Sequence, residues 1–210
     1  TCATELAVVC NEVAAGRDDL ELSIEDPGAT SDRLVELAAG EDPGLDAWLV
    51  DAPWAAITAD NRRFAKVPGD VLGPPSEVLG RSPAVLAIAD DAQGLFPTDC
   101  DSTVSWTCMG QAGPALRIGM SSPERGDGLA VLAGAAAEYL DTSDYSANDF
   151  ERPGFTTWFD RVTGLSARTR TGGQSALRTA LAVQGQFNVV GALESQSTEL
   201  LRDREGWATT

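Results

Sequence analysis

Apolar alternation that repeatedly gives way to helical spacing predicts an α/β chain with mostly parallel strands. Strand-like and helix-like runs take turns along the sequence, and no internal repeat or low-complexity tract breaks the pattern. The helical runs are about ten residues long, which suits helices lying on a sheet.

The elements follow in order. Leu6, Cys10 and Val13 fall at helical spacing within 3–15, and Gly16 supplies a stop. Leu20, Leu22 and Ile24 alternate along a strand at 20–26. Ser31 and Asp32 open a helix that ends at Gly40, and residues 45–52 form the next strand. Pro53 starts a helix toward Arg62 and Arg63. A Pro- and Gly-rich link at 67–75 leads into an apolar strand pair at 76–91, broken near Arg81 and Pro83. Residues 91–115 are loop-like, 116–123 a strand, and 128–140 a strongly apolar helix. Pro153 begins a helix whose Phe155, Trp158, Phe159 and Val162 form one stripe, read as core. A helix at 174–184, a strand at 187–195 and a polar helix at 196–204 complete the order.

Composition removes several functions. The 210 residues carry 32 Asp and Glu against 15 Lys and Arg, a net charge of −17. That surface repels phosphate backbones, and no basic stripe offsets it, so nucleic acid and anionic membrane are poor partners. The apolar stretches at 82–89 and 129–137 fall far short of the ~18–20 residues of a membrane span. Direct membrane insertion is not expected. The sequence contains no histidine. Ser-His-Asp and Cys-His catalysis and His-ligated zinc or iron are therefore excluded. No catalysis, cofactor or metal is expected; glycoside hydrolysis on a pair of carboxylates is the enzymatic alternative that a His-free chain leaves.

Four cysteines stand at 2, 10, 100 and 108 without C-x2-C spacing. An even count in an acidic, His-free chain reads as disulfides and an oxidising compartment. Residues 100–108 are polar and lack helical periodicity, so Cys100 with Cys108 forms a loop staple. Cys2 and Cys10 are too far apart along one helix to bond. They pair with each other only if Cys2 folds back before the helix begins; the alternative is bonding to segments outside this chain.

Four strand-end loops are candidates for ligand contact, because ligands of parallel sheets sit beyond the C-terminal strand ends. In the first, Asp51 and Trp54 either meet a ligand or serve as helix cap and core. In the second, Arg81 and Ser82 flank a strand entrance, with a bulge and a solvated arginine as the alternative. The third, Ser121 to Gly128, joins the hydroxyls of Ser121 and Ser122 to a Gly-rich turn at Asp127 that cradles a polar group or merely caps a helix. The fourth carries Gln174 and Ser175 after a Gly-Gly turn, again ligand contact or capping. The stretch 141–150 lacks the glycine and closing glutamate of a calcium loop.

The succession SDRLVELAAG, DAWLVDAPW, GRSPAVLAIADD, a C-x7-C loop with Trp106, LRIGMSSPERGDGLAVLAGAAAEYL and FNVVGALES resembles the extracellular solute-binding proteins of high-GC Gram-positive bacteria. The resemblance implies a type 2 periplasmic-binding-protein fold: two α/β lobes with mixed sheets and two crossovers, outward at 82–90 and returning at 187–195. Lobe one would comprise 1–85 plus 193–210, its first strand missing or upstream, and lobe two 86–192. It further implies a small polar solute in the interlobe cleft, delivered to an ABC-type permease or sensed. Asp51, Trp54, Arg81 and Ser82 would face it from lobe one, and Ser121, Ser122, Asp127, Gln174 and Ser175 from lobe two. Trp54 and Trp106 are candidates to stack on a ligand ring. Glu124 and Asp127 would repel a small oxyanion. The expected location is extracellular or cell-surface, secreted or anchored through a fused domain. A ligand-free structural or interaction ectodomain on the same fold is the alternative.

Overall fold

In a computed structural model, which describes residues 1–73, 78, 80–100, 104–168 and 175–210, the chain is mixed α/β and divides into two units. The first comprises Thr1–Arg81 with Glu124–Gly126, the second Ser82–Pro123 with Asp127–Thr210.

The first unit is organised by a very short strand. Cys2–Ala3 (β1) pairs in parallel with Ile24–Glu25 (β2), and Cys2 also bridges Leu49 in parallel. Two residues of β1 can align only about two residues of each neighbour. The alternating run at 20–26 therefore pairs only over β2, and the run at 45–52 only at Leu49. Thr4–Leu6 forms a 3-10 turn into Ala7–Ala14 (α1). Because Cys2 lies in β1 and folds back ahead of that helix, it bonds Cys10, with Cα atoms 6.5 Å apart.

Two longer helices complete this unit. Pro27–Glu36 (α2) starts at Pro27 rather than Ser31. Asp26 is extended, and proline at the first helical position gives up an N–H that would have no helical partner anyway. Trp54–Phe64 (α3) follows Pro53, as its sequence predicts. The two helices are tied by Thr58 Oγ1, which donates to Ser31 Oγ at 2.7 Å. Arg62 of α3 also donates to Leu34 O and Leu37 O at the end of α2. A cation there meets carbonyls that the helix leaves unpaired.

The second unit is a five-stranded mixed sheet. In chain order it holds Ala84–Ala89 (β3), Trp106–Met109 (α4), Ile118–Met120 (β4), Gly126–Leu140 (α5), Phe155–Leu165 (α6), Ser166–Arg168 (β5), Ala176–Ala182 (α7), Val189–Leu193 (β6), Glu194–Leu201 (α8) and Trp207–Thr209 (β7). The strand order is β5-β4-β6-β3-β7. β4 runs parallel to β5 and β6, while β3 is antiparallel to β6 and β7. Only one strand forms among the described residues of the expected pair at 76–91.

The sheet is covered on both faces, which explains why its strands read as nearly continuous apolar runs. Leu86, Ile88, Ile118, Met120 and Val189 pack with Val131 and Ala135 of α5 and with Phe155, Trp158 and Val162 of α6. The aromatic stripe is core. Ala87, Val190 and Ala192 face the other way, onto Ala176, Leu177 and Ala180 of α7. Gly191 is needed for this packing, since a Cβ there would lie 2.5 Å from Val131 and 2.7 Å from Trp106.

Two expectations differ in placement. The segments at 82–90 and 187–195, expected as crossings, supply β3 and β6, adjacent antiparallel strands in register from Ala84 opposite Leu193 to Ile88 opposite Val189. Residues 193–210, expected with lobe one, cluster with the second unit, where β7 hydrogen-bonds to the free edge of β3.

Candidate functional site

The parallel strand segments of the first unit each end in a carboxylate. Glu5 follows β1, Asp26 follows β2 and Asp51 follows Leu49. Oxygens of Glu5 and Asp51 are shielded from solvent, and they converge. A Cβ on Gly126 would overlap Glu5 Oε1 and lie 2.9 Å from Asp51 Oδ2. Only glycine leaves room for both.

Gly126 is held there by its neighbours. Arg125, 8% exposed, pairs with Asp26 Oδ1 at 3.1 Å. The Gly28 N–H donates to Glu124 O at 3.1 Å, and a side chain on Gly28 would meet that oxygen at 2.6 Å. The segment Glu124–Gly126 is thereby fastened to the start of α2. Beyond Asp51, the Ala52–Pro53 peptide is cis and α3 begins at Trp54. Trp54 is 7% exposed and its indole N–H is buried without a hydrogen-bond partner. Its ring is interior and presents no open stacking face. Arg81 is exposed.

In the second unit the predicted polar residues engage one another. Ser121, at the end of β4, donates to Asp127 Oδ2 at 2.7 Å and accepts the Ala176 N–H at 3.1 Å. Ser175 caps α7 by accepting the Arg178 N–H at 3.2 Å. Ser121, Asp127 and Ser175 are all buried, and Ser122 is half-buried. Ser82 works at a distance in sequence: its Oγ lies 2.9 Å from Ser195 Oγ and accepts the Ser195 N–H at 3.0 Å. It thereby satisfies an amide in the first turn of α8, whose own flanking residue, Leu193, has no capping side chain. Gln174 lies outside the described residues. Trp106 belongs to the core, and Cys100 is bonded to Cys108.

No protein-family model, curated protein or solved structure matches the chain. The site is therefore read from its own chemistry. Among the described residues, no group of three or more acidic or cysteine side chains is placed to hold a metal ion, and no helix is long and apolar enough to cross a membrane.

Three residues of this arrangement escape a reading of the sequence. Glu5 is one of 32 acidic residues, inside what reads as an ordinary amphipathic helix, and nothing local marks it. Asp26 carried a usable signal, since Asp followed by Pro is a helix-start pair. Arg125 stood within a loop already singled out, but its partner lies 99 residues away.

Proposed function

We propose that this chain is an extracellular or cell-surface binding protein that holds a small polar solute without transforming it, on the two-lobed plan of type 2 periplasmic-binding proteins. Its role would be delivery to an ABC-type permease, or sensing. The observation that carries this reading is the convergence of Glu5 and Asp51 over Gly126 at the C-terminal ends of parallel strands. Such strand ends are where open α/β sheets take ligands. Two carboxylates favour a hydroxyl-rich or cationic solute over an oxyanion. The two disulfides suit an oxidising compartment.

Native mass spectrometry of the purified protein, followed by thermal shift against sugars, amino acids, amines and oxyanions, tests the reading. A ligand at 100 times its dissociation constant stabilises by about 2.7 kcal/mol, and Glu5→Gln or Asp51→Asn should abolish that gain. A bare mass with a flat response across the panel overturns it.

One observation favours the ligand-free ectodomain instead. The Ser121 hydroxyl and the Ser175 cap are occupied by internal hydrogen bonds. That alternative predicts the flat panel response.

A further inference from the structure

Only Asn11 and Glu12 of the eight residues of α1 are polar, so the helix is apolar on nearly every side. A helix of that composition is ordinarily buried all round. Here Cys10 is buried, while Val8, Val9 and Val13 are exposed, Val9 and Val13 to more than half. Valine is a poor helix former, so valines on the solvent face of so short a helix do nothing for the helix itself. The apolar surface continues past α1. The Arg17 N–H donates to Ala14 O and the Leu20 N–H to Arg17 O, which carries the chain on to an exposed Leu20. Ile24, also exposed, lies opposite Cys2 in the β1–β2 register, and Cys2 is bonded to Cys10 of α1. Of the nine large apolar side chains exposed among the described residues, five thus fall within 8–24. Scattered single residues of this kind are ordinary, but such a concentration marks an interaction surface.

The charges along this segment have one sign. Residues 1–16 contain no Lys or Arg, and the first cation, Arg17, is held by both carboxylate oxygens of Asp19. Glu12, Asp18 and Glu21 are exposed, with no cation within 4 Å among the described residues. We propose that α1 and the chain onward to Ile24 form a docking surface for a polypeptide segment with an apolar centre and Lys or Arg flanks. Val9 and Val13, one turn apart on the same side of the helix, receive the partner's apolar side chains. Glu12, Asp18 and Glu21 meet its cations, which favours encounter and excludes acidic competitors. A second copy is the poorer occupant, because a symmetric pair would set these carboxylates against one another in a chain of net charge −17. An anionic lipid surface is repelled for the same reason. Solute binding at Glu5 and Asp51 is not required for this docking.

A labelled amphipathic leucine–lysine peptide and its leucine–glutamate counterpart, titrated with the whole chain and followed by fluorescence anisotropy, test this. The salt is held near 0.15 M, where exposed charges are screened beyond about 8 Å. Saturable binding of the leucine–lysine peptide at micromolar concentration is expected, and none of the leucine–glutamate peptide. Val9→Ser combined with Val13→Ser leaves the charge of the chain unchanged, so its effect separates docking from general attraction to an acidic protein. That double variant should bind at least about tenfold more weakly with native circular dichroism retained. Glu12→Lys should also weaken binding severalfold, whereas Val183→Ser, at an exposed valine of the second unit, should bind like the parent. No saturable binding, unchanged binding by the double variant, or an equal loss for Val183→Ser would each overturn the assignment. Sedimentation of the protein without peptide addresses the other occupant: a dimer that the double variant abolishes would give the face to a second copy and overturn it as well.

Discussion

Ser121 Oγ donates a 2.7 Å hydrogen bond to Asp127 Oδ2 while accepting the backbone N–H of Ala176, so one hydroxyl joins the end of β4 to the starts of α5 and α7. Asp127 is 1% exposed, and a buried carboxylate that loses a donor pays its desolvation again. Ser121→Ala removes that donor and also leaves the first amide of α7 without its acceptor. The expected loss is about 1–3 kcal/mol, read in urea unfolding as a lower midpoint at unchanged slope. A midpoint equal to that of the parent would show that the hydroxyl is not structural.

The Cys100–Cys108 bond closes a short loop beside core residues Trp106 and Met109. Chain-entropy arguments give about 2–3 kcal/mol for such a loop. Replacing both cysteines by serine should lower stability by that amount and leave the far-ultraviolet circular dichroism unchanged. The unreduced parent protein should weigh less than the reduced one by the mass of four hydrogens, since Cys2 also bonds Cys10. A smaller difference would mean that one bridge does not form.

The second unit was legible in the sequence because its patterns reflect its own burial. α5 is apolar, α6 carries one aromatic stripe, and β3, β4 and β6 are apolar because both sheet faces are covered. The first unit was less so, for a physical reason. Alternation at 20–26 and 45–52 advertises full strands, but ladder length is set by the partner, and β1 has two residues. β7 was missed because an edge strand with mostly exposed residues carries little hydrophobic signal. Of the candidate site, Asp51 was visible as a residue at a strand end. Glu5 was not, because only the fold brings it to Gly126.

Trp158 and Trp106 illustrate a contact that a conservative substitution can isolate. The Trp158 indole N–H donates to Trp106 O at 2.9 Å, and its ring stacks on Tyr139 with centroids 4.5 Å apart. Trp158→Phe keeps an aromatic ring but removes the donor, leaving a buried carbonyl without it. A loss of about 1–3 kcal/mol is expected, whereas Trp158→Ala should cost about 3–5 kcal/mol through the cavity. Equal losses for the two variants would mean that the hydrogen bond, and not the ring, carries the contact.

Glu25 provides a pH-dependent test at the end of β2. Its Oε2 accepts from Thr30 Oγ1 at 2.7 Å and from Arg33 Nη2 at 3.0 Å. The Thr30 hydroxyl, the largest influence, holds its carboxyl below the ordinary glutamate range; burial opposes it, and Arg33 adds to the lowering. A carboxylate with a depressed folded pKa contributes stability above its unfolded pKa, about 4.3, and loses it as pH falls through the folded value. Glu25 and Arg33 are each more than a third exposed, so solvent screening holds their ion pair's contribution to roughly 1 kcal/mol or less. Urea midpoints of the parent and of Glu25→Gln should differ by a constant amount above about pH 5 and converge as the pH drops below about 4. Asp19 and Asp149, also held low by their hydrogen bonds, titrate in both proteins and cancel in this difference. A gap that stays constant down to acid pH would mean that glutamine disturbs packing around Thr30, and that the carboxylate charge contributes nothing.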